Sequence, residues 1–284
     1  MTAFSNESNT ETVNPLSSAL GAEISGVNLN DPEEGIIDAI KDAVHEYLVV
    51  VIRNQSMTPA QYATAASRFG TMAEQHMSDL MMKDQPRICR LDSSIVPLDE
   101  NGKPKLIGSG NWHTDHTNFK RPPKYTILYA EKLPSKGGDT GFANMQKAFE
   151  SLSEDEQAKL LQLKTANALV GKPAHTTDED MEKYGTPKIH PFIRTHPATG
   201  KKAIYCHPQK VAYIEGMDRE TSLDLIADLQ ARTINSNTMY RHKWQPGDML
   251  ICDNRGAMHR AFHDYDHTEG RIMHRILIEG EVPV

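Results

Sequence analysis

The stretch GSGNWHTDHTNF (108–119) places His113, Asp115 and His116 within four positions, three side chains that can ligate a metal or move a proton. On an extended chain alternate residues share a face, so His113 and Asp115 project together while Thr114 and His116 point the other way. One imidazole and one carboxylate are two of the three ligands of the 2-His-1-carboxylate facial triad of non-haem Fe(II) oxygenases, which leaves the opposite face open for cosubstrate and dioxygen. H-x-D alone is a weak signal in a chain with 13 histidines. The same tripeptide also reads as a surface histidine beside a solvated aspartate.

A completing histidine must come from elsewhere, and WQPGDMLICDNRGAMHRAFHDYDHTEGRIMHRILIEG offers His259, His263, His267 and His274. GDMLICDN reads as a strand running into a turn, and His259 follows it closely, as a strand-edge ligand does. His263 and His267 sit in an Asp-rich segment that reads as a solvated loop, and His116, too, is left facing solvent or supporting the ligands from outside. His274 lies inside the next strand, where alternation puts Arg271, Met273 and Arg275 on one face and Ile272, His274 and Ile276 on the other. At about 3.3 Å per residue the Cα atoms of the two arginines are about 13 Å apart, room for two separate anions in one cavity. A guanidinium is always charged and fork-shaped, and grips a carboxylate or sulfonate bidentately. The competing reading has both arginines on the outside of the sheet, paired with surface carboxylates.

These residues need elements to hold them. Ile36, Ile37, Ile40, Val44 and Leu48 recur at helical spacing and lead into the β-branched run 49–52, a helix feeding a buried strand. A second helix follows, with Thr58 as N-cap, Pro59 at its first position and Gly70 closing it. From about residue 85 the chain reads as mostly β, with strands near 87–91, 125–131, 189–195, 202–206, 248–252 and 271–279. Helical stretches interrupt it at 153–166, opened by the Ser153/Glu156 capping-box pattern, and at 218–234. The polar stretch 96–111 has no period and reads as a mobile loop beside the H-x-D motif. Residues 1–14 read as a frayed polar tail and 15–284 as a single domain, mainly β with helical additions.

A net charge of −7 and a pI near 6.0 give no electrostatic footprint for nucleic acid or an anionic membrane, so any anionic ligand must be met by local cations. No apolar run approaches the length of a membrane span, and the first residues lack the basic and apolar regions of a secretory signal. Cys89, Cys206 and Cys252 are far apart with no C-x-x-C pair, which argues against a thiolate zinc site or a disulfide framework and fits a reducing cytoplasm.

Taken together, GAEISGVNL (21–29), NWHTDHTNF (111–119), KGGDTGFANM (136–145), RTHPATGKKAIY (194–205), WQPGDMLICDNRGAMHRA (244–261) and RIMHR (271–275) give the chain a resemblance to the taurine dioxygenase family of Fe(II)/2-oxoglutarate-dependent oxygenases, which includes the phenoxyacetate herbicide dioxygenases. The resemblance runs from about residue 15 to the C-terminus. It implies a double-stranded β-helix (jelly-roll) core with iron at its mouth. It places His113, Asp115 and His259 on the metal, Thr140 and Arg271 on the distal carboxylate of 2-oxoglutarate, and Arg275 on the acidic group of a small anionic substrate. His76 and Tyr205 match substrate-contacting positions. Ser109 stands where the taurine-binding member carries an asparagine, a departure at the substrate end. The implied reaction consumes O2 and 2-oxoglutarate, releases succinate and CO2, and most simply hydroxylates a C–H bond; retention of Asp115 argues against halogenation. The resemblance also implies a homo-oligomer. Two other readings remain for the same residues: a zinc-binding cupin-like hydrolase, since imidazole and carboxylate also suit zinc, and a non-catalytic binding module that keeps only the fold. His76 also reads as a satisfied loop histidine, and Tyr205 as core.

Overall fold

The run Val49–Ile52 is buried at all four positions, as a strand covered on both faces must be. In the computed structural model, which describes residues 3–4, 11–95, 108–171 and 176–284, this run is a central strand of an eight-stranded sheet. The strands lie in the order β1 (Ala3–Phe4), β2 (Glu11–Pro15), β3 (Ala22–Ser25), β4 (Val49–Ile52), β14 (Met249–Asp253), β6 (Tyr125–Lys132), β16 (Ile272–Ile278) and β5 (Cys89–Asp92). All neighbours are antiparallel except β3 and β4.

One face of this sheet carries Val50, Ile52, Ile127, Tyr129, Ile251 and Ile276 against the helices α1 (Ile36–Tyr47) and α2 (Pro59–Ser67). Helix α1 buries Ile36, Ile40, Ala43 and Val44, and α2 starts on the Thr58/Gln61 capping box with Pro59 in its first turn, as the sequence predicts. The other face carries Val49, Val51, Leu250 and Cys252, which pack with Phe142 and Ala257 of a second antiparallel sheet, β13 (Met239–His242), β7 (Thr140–Asn144) and β15 (Ala257–Ala261). The two facing sheets form the sandwich of a jelly-roll core, mainly β with helical additions.

Behind the second sheet, Ala143 and Met258 pack with α3 (Met145–Glu150), α6 (Arg219–Thr233) and the strands β10 (Ile193–Thr195), β11 (Lys202–Ile204) and β12 (Val211–Ile214). A third small sheet runs β12, β8 (Lys164–Asn167), β9 (Lys188–Pro191), and the remaining helices are α4 (Glu154–Leu160) and α5 (Asp178–Tyr184).

Three expectations need correction. The tail expected over 1–14 is a strand from Glu11 on: β2 pairs with β3 through Thr12–Ser25 and Val13–Ile24, and Val13 is buried. The helix expected over 153–166 keeps its Ser153/Glu156 capping box but stops at Leu160, because 164–167 is taken into β8, hydrogen-bonded on both edges. Tertiary pairing overrides local period there. His259 is the middle residue of β15 and not the edge of β14. The loop expected over 96–111 lies outside the described residues up to 107. Among the described residues no helix is long and apolar enough to cross a membrane.

Candidate active site

His113 and His259 face each other across an antiparallel bridge: the His113 N–H donates to the His259 carbonyl at 3.1 Å, and the His259 N–H to the His113 carbonyl at 2.8 Å. Directly opposed residues present their side chains on one face, and Asp115, two positions along, shares it. His113 Nε2 is 3.9 Å from Asp115 Oδ1, and His259 Nε2 is 3.7 Å from Asp115 Oδ2. Atoms bound to one first-row ion at about 2.1 Å each are at most about 4.2 Å apart, so both separations suit a shared metal. All three residues are buried.

Their protonation also suits a metal. His113 Nδ1 lies 2.8 Å from the Asn111 carbonyl, which fixes the proton on Nδ1 and leaves the Nε2 lone pair facing Asp115. Burial lowers the His113 pKa against the pull of Asp115 and takes His259 down to about 3, so both imidazoles are neutral near pH 7. Burial alone would raise the Asp115 carboxyl, but the Arg275 guanidinium foremost outweighs it and holds it well below the usual carboxylate range. Thr126 Oγ1 donates to Asp115 Oδ2 at 2.6 Å and accepts from Asn254 Nδ2 at 2.8 Å; the Thr114 hydroxyl donates to the Asn254 carbonyl at 2.8 Å. This chain of bonds fixes the carboxylate's orientation. Thr126→Val is therefore expected to weaken metal binding about 10- to 100-fold with the fold intact, as read by an anaerobic Fe(II) titration beside a circular dichroism spectrum.

Arg271 and Thr140 form a second corner. Arg271 Nε donates to the Gly138 carbonyl at 2.9 Å, and among the described residues no carboxylate pairs with this guanidinium, whose pKa burial lowers. The nearby Asp139 is engaged by Arg241 at 2.7 Å. Gly138 has φ +72, and a Cβ there would meet Arg271 Cδ at 3.1 Å, so a glycine permits the close approach. Thr140 Oγ1 accepts from Trp244 Nε1 at 2.9 Å and keeps its own proton to donate.

Arg275 points to the metal triad. Its Nη1 is 3.6 Å from Asp115 Oδ1, its Nε donates to Gln75 Oε1 at 3.1 Å, and its Nη2 lies 3.6 Å from Met77 Sδ. His274, on the opposite face, packs near Tyr62 and Tyr129 on the helix side of the sheet, as alternation predicts. His76 is buried beside Arg275's partners and accepts from Lys210 Nζ at 2.9 Å. Ser109 sits at the rim, its carbonyl bonded by the Ala261 N–H and its hydroxyl 3.4 Å from Gln209 Oε1. Tyr205 is buried, with the Arg194 guanidinium 4.9 Å over its ring.

The sequence reading missed Lys210, His207, Gln75 and Met77. His207 lies 4.7 Å, ring to ring, from His113. His116 is not solvent-facing: it is buried, and its ring meets His76 edge-on at 4.1 Å. No spacing announces Lys210, which enters from the turn before β12. The number of histidines between 76 and 207 was the one available hint of a cluster.

A family model described as taurine catabolism dioxygenase TauD, TfdA family matches residues 12–277. The (S)-phenoxypropionate/alpha-ketoglutarate-dioxygenase of Sphingobium herbicidovorans is 30% identical over 282 residues, covering 94% of this chain and 94% of that one. An alpha-ketoglutarate-dependent sulfate ester dioxygenase of Pseudomonas putida is 30% identical over 284 residues, covering 96% and 90%. The crystal structure of a putative alpha-ketoglutarate-dependent taurine dioxygenase from Burkholderia xenovorans superposes with a TM-score of 0.80 at 28% identity, covering 96% of this chain and 91% of that one.

Proposed function

The chain belongs to the TauD, TfdA family of dioxygenases, and from that membership we propose that His113, Asp115 and His259 hold Fe(II), that Arg271 and Thr140 hold 2-oxoglutarate, and that Arg275 holds the acidic group of a small organic substrate. The observation that carries this reading is the His113–His259 bridge, which brings two neutral imidazoles onto one ionised carboxylate. When bound, Fe(II) and 2-oxoglutarate supply the activation of dioxygen that oxidises a substrate C–H bond and releases succinate and CO2.

The protein's own part is positioning. Thr126 and Asn111 orient the ligands, and Arg271, which has no carboxylate partner among the described residues, offers its guanidinium to a far carboxylate while Thr140 donates its hydroxyl. Arg275 receives the substrate's anion next to the triad, with His76 beside it, Ser109 at the rim and Tyr205 in the wall. The relatives named above act on a phenoxypropionate and on sulfate esters, which supports an aryloxy acid or sulfate ester as substrate; a sulfonate or amino-acid derivative belongs to the same proposed class of small anionic acids. Hydroxylation is the outcome we assign. Three buried free cysteines support a reducing cytoplasm, the net charge of −7 supports a partner other than nucleic acid or membrane, and family resemblance supports a homo-oligomer.

An Arg271 guanidinium with no carboxylate partner among the described residues, next to a Thr140 hydroxyl with a proton to donate, argues for the oxygenase over a zinc hydrolase using the same triad, because a hydrolase has no use for a distal carboxylate anchor. The test is an anaerobic titration with Fe(II) and 2-oxoglutarate, followed by a screen of sulfonates, sulfate esters and aryloxy acids for substrate-triggered succinate release. A visible absorption band that needs both additions is expected; full activity with zinc and no 2-oxoglutarate would favour the hydrolase.

A further inference from the structure

Lys210 and Arg275 are both buried, at 8% and 9% exposure, in the same wall of the site. Among the described residues no carboxylate lies within ion-pair distance of Lys210. The carboxylate nearest Arg275 is that of Asp115, already assigned to the metal. Burying a charge costs several kcal/mol unless it is paired, and a lysine serving only to fill space is replaceable by methionine. A single three-residue run binds both cations: Gln75 and Met77 contact Arg275, and the residue between them, His76, accepts from Lys210. Met77 turns the chain there with φ +86, a left-handed conformation uncommon for a side chain of its size. With Nε2 accepting from the ammonium, neutral His76 carries its proton on Nδ1, a buried donor with no partner. The wall therefore presents the Arg275 cation, a lysine that can be charged beside it and an idle N–H, with no anion of its own to spare.

We propose that Lys210 is a substrate-binding residue that, with Arg275, selects an acidic group carrying two negative charges over one carrying a single charge. The inference rests on the reading of the site as a 2-oxoglutarate dioxygenase with Arg275 at its substrate end, and it narrows the acidic group there to a dianion in preference to the singly charged sulfonates, sulfate esters and aryloxy acids. Phosphate monoesters, phosphonates and paired carboxylates share the required chemistry. Burial pushes Lys210 down to about 7, and a second negative charge beside it restores the ammonium form.

Phenyl phosphate and phenyl sulfate have the same shape and, near pH 8, carry two charges and one. Titrated calorimetrically into the anaerobic Fe(II)/2-oxoglutarate enzyme, the phosphate is expected to bind at least about tenfold more tightly than the sulfate, about 1.4 kcal/mol. Lys210→Met is expected to shrink that ratio to about twofold or less with 2-oxoglutarate affinity unchanged, and Lys210→Arg to preserve it. Equal affinities in the wild type, binding of neither ester, or a ratio that survives Lys210→Met overturns the assignment while the 2-oxoglutarate absorption band stands. Failure of the wild type to form that band overturns the dioxygenase reading itself.

Discussion

Asp115→Ala is expected to lower 2-oxoglutarate turnover by more than about a thousandfold, about 4 kcal/mol of lost transition-state stabilisation. The carboxylate is the only anionic member of the triad and the point on which His113 Nε2, His259 Nε2, Arg275 Nη1 and the Thr126 hydroxyl converge. Without it, two neutral imidazoles are left to hold a divalent ion next to a buried guanidinium, and metal affinity falls with turnover. Oxygen consumption and an anaerobic Fe(II) titration read the two losses separately. Asp115→Asn keeps the shape and removes the charge, so a similar loss in that variant assigns the effect to charge. A turnover near wild type in either variant ends the assignment of this triad.

The second large effect is a division of labour between Arg271, just before β16, and Arg275 within it. Arg271→Ala is expected to weaken 2-oxoglutarate by about 100-fold, about 3 kcal/mol for a lost charge-assisted pair, while the substrate found in the screen binds almost as before. Arg275→Ala should do the reverse. The asymmetry follows from the contacts: Arg271 touches Gly138, two residues before Thr140, whereas Arg275 touches Gln75 and Met77 on either side of His76. Binding isotherms for each ligand with each variant decide it, and equal damage to both ligands from either change refutes it.

Much of this was legible before the structure because period-2 alternation is local. H-x-D, the two arginines four apart, the buried run Val49–Ile52 and the cap at Thr58 each need only their neighbours in sequence to be read. What was not legible depended on contacts distant in the chain. Strands β7, β13 and β15 are four or five residues long, and their pairing with one another decides their conformation. Lys164–Asn167 follows a good helix and is a strand because two partners claim its edges. Lys210 meets His76 across more than a hundred residues of sequence. His116 has φ +49, which turns it from the face that simple alternation assigns and buries it against His76.

Arg271 immediately precedes β16 and Arg275 lies four residues on within it, a span of about 13 Å at the rise of an extended chain. A one-residue insertion or deletion between them would turn one guanidinium outward toward α1 and α2 and leave its anion unclaimed. With the roles proposed for Arg271 and Arg275, the distance between the two acidic ends is thus quantised. On those roles, a change of substrate that keeps both anchors is expected from point changes around the site and not from a change in the length of this stretch.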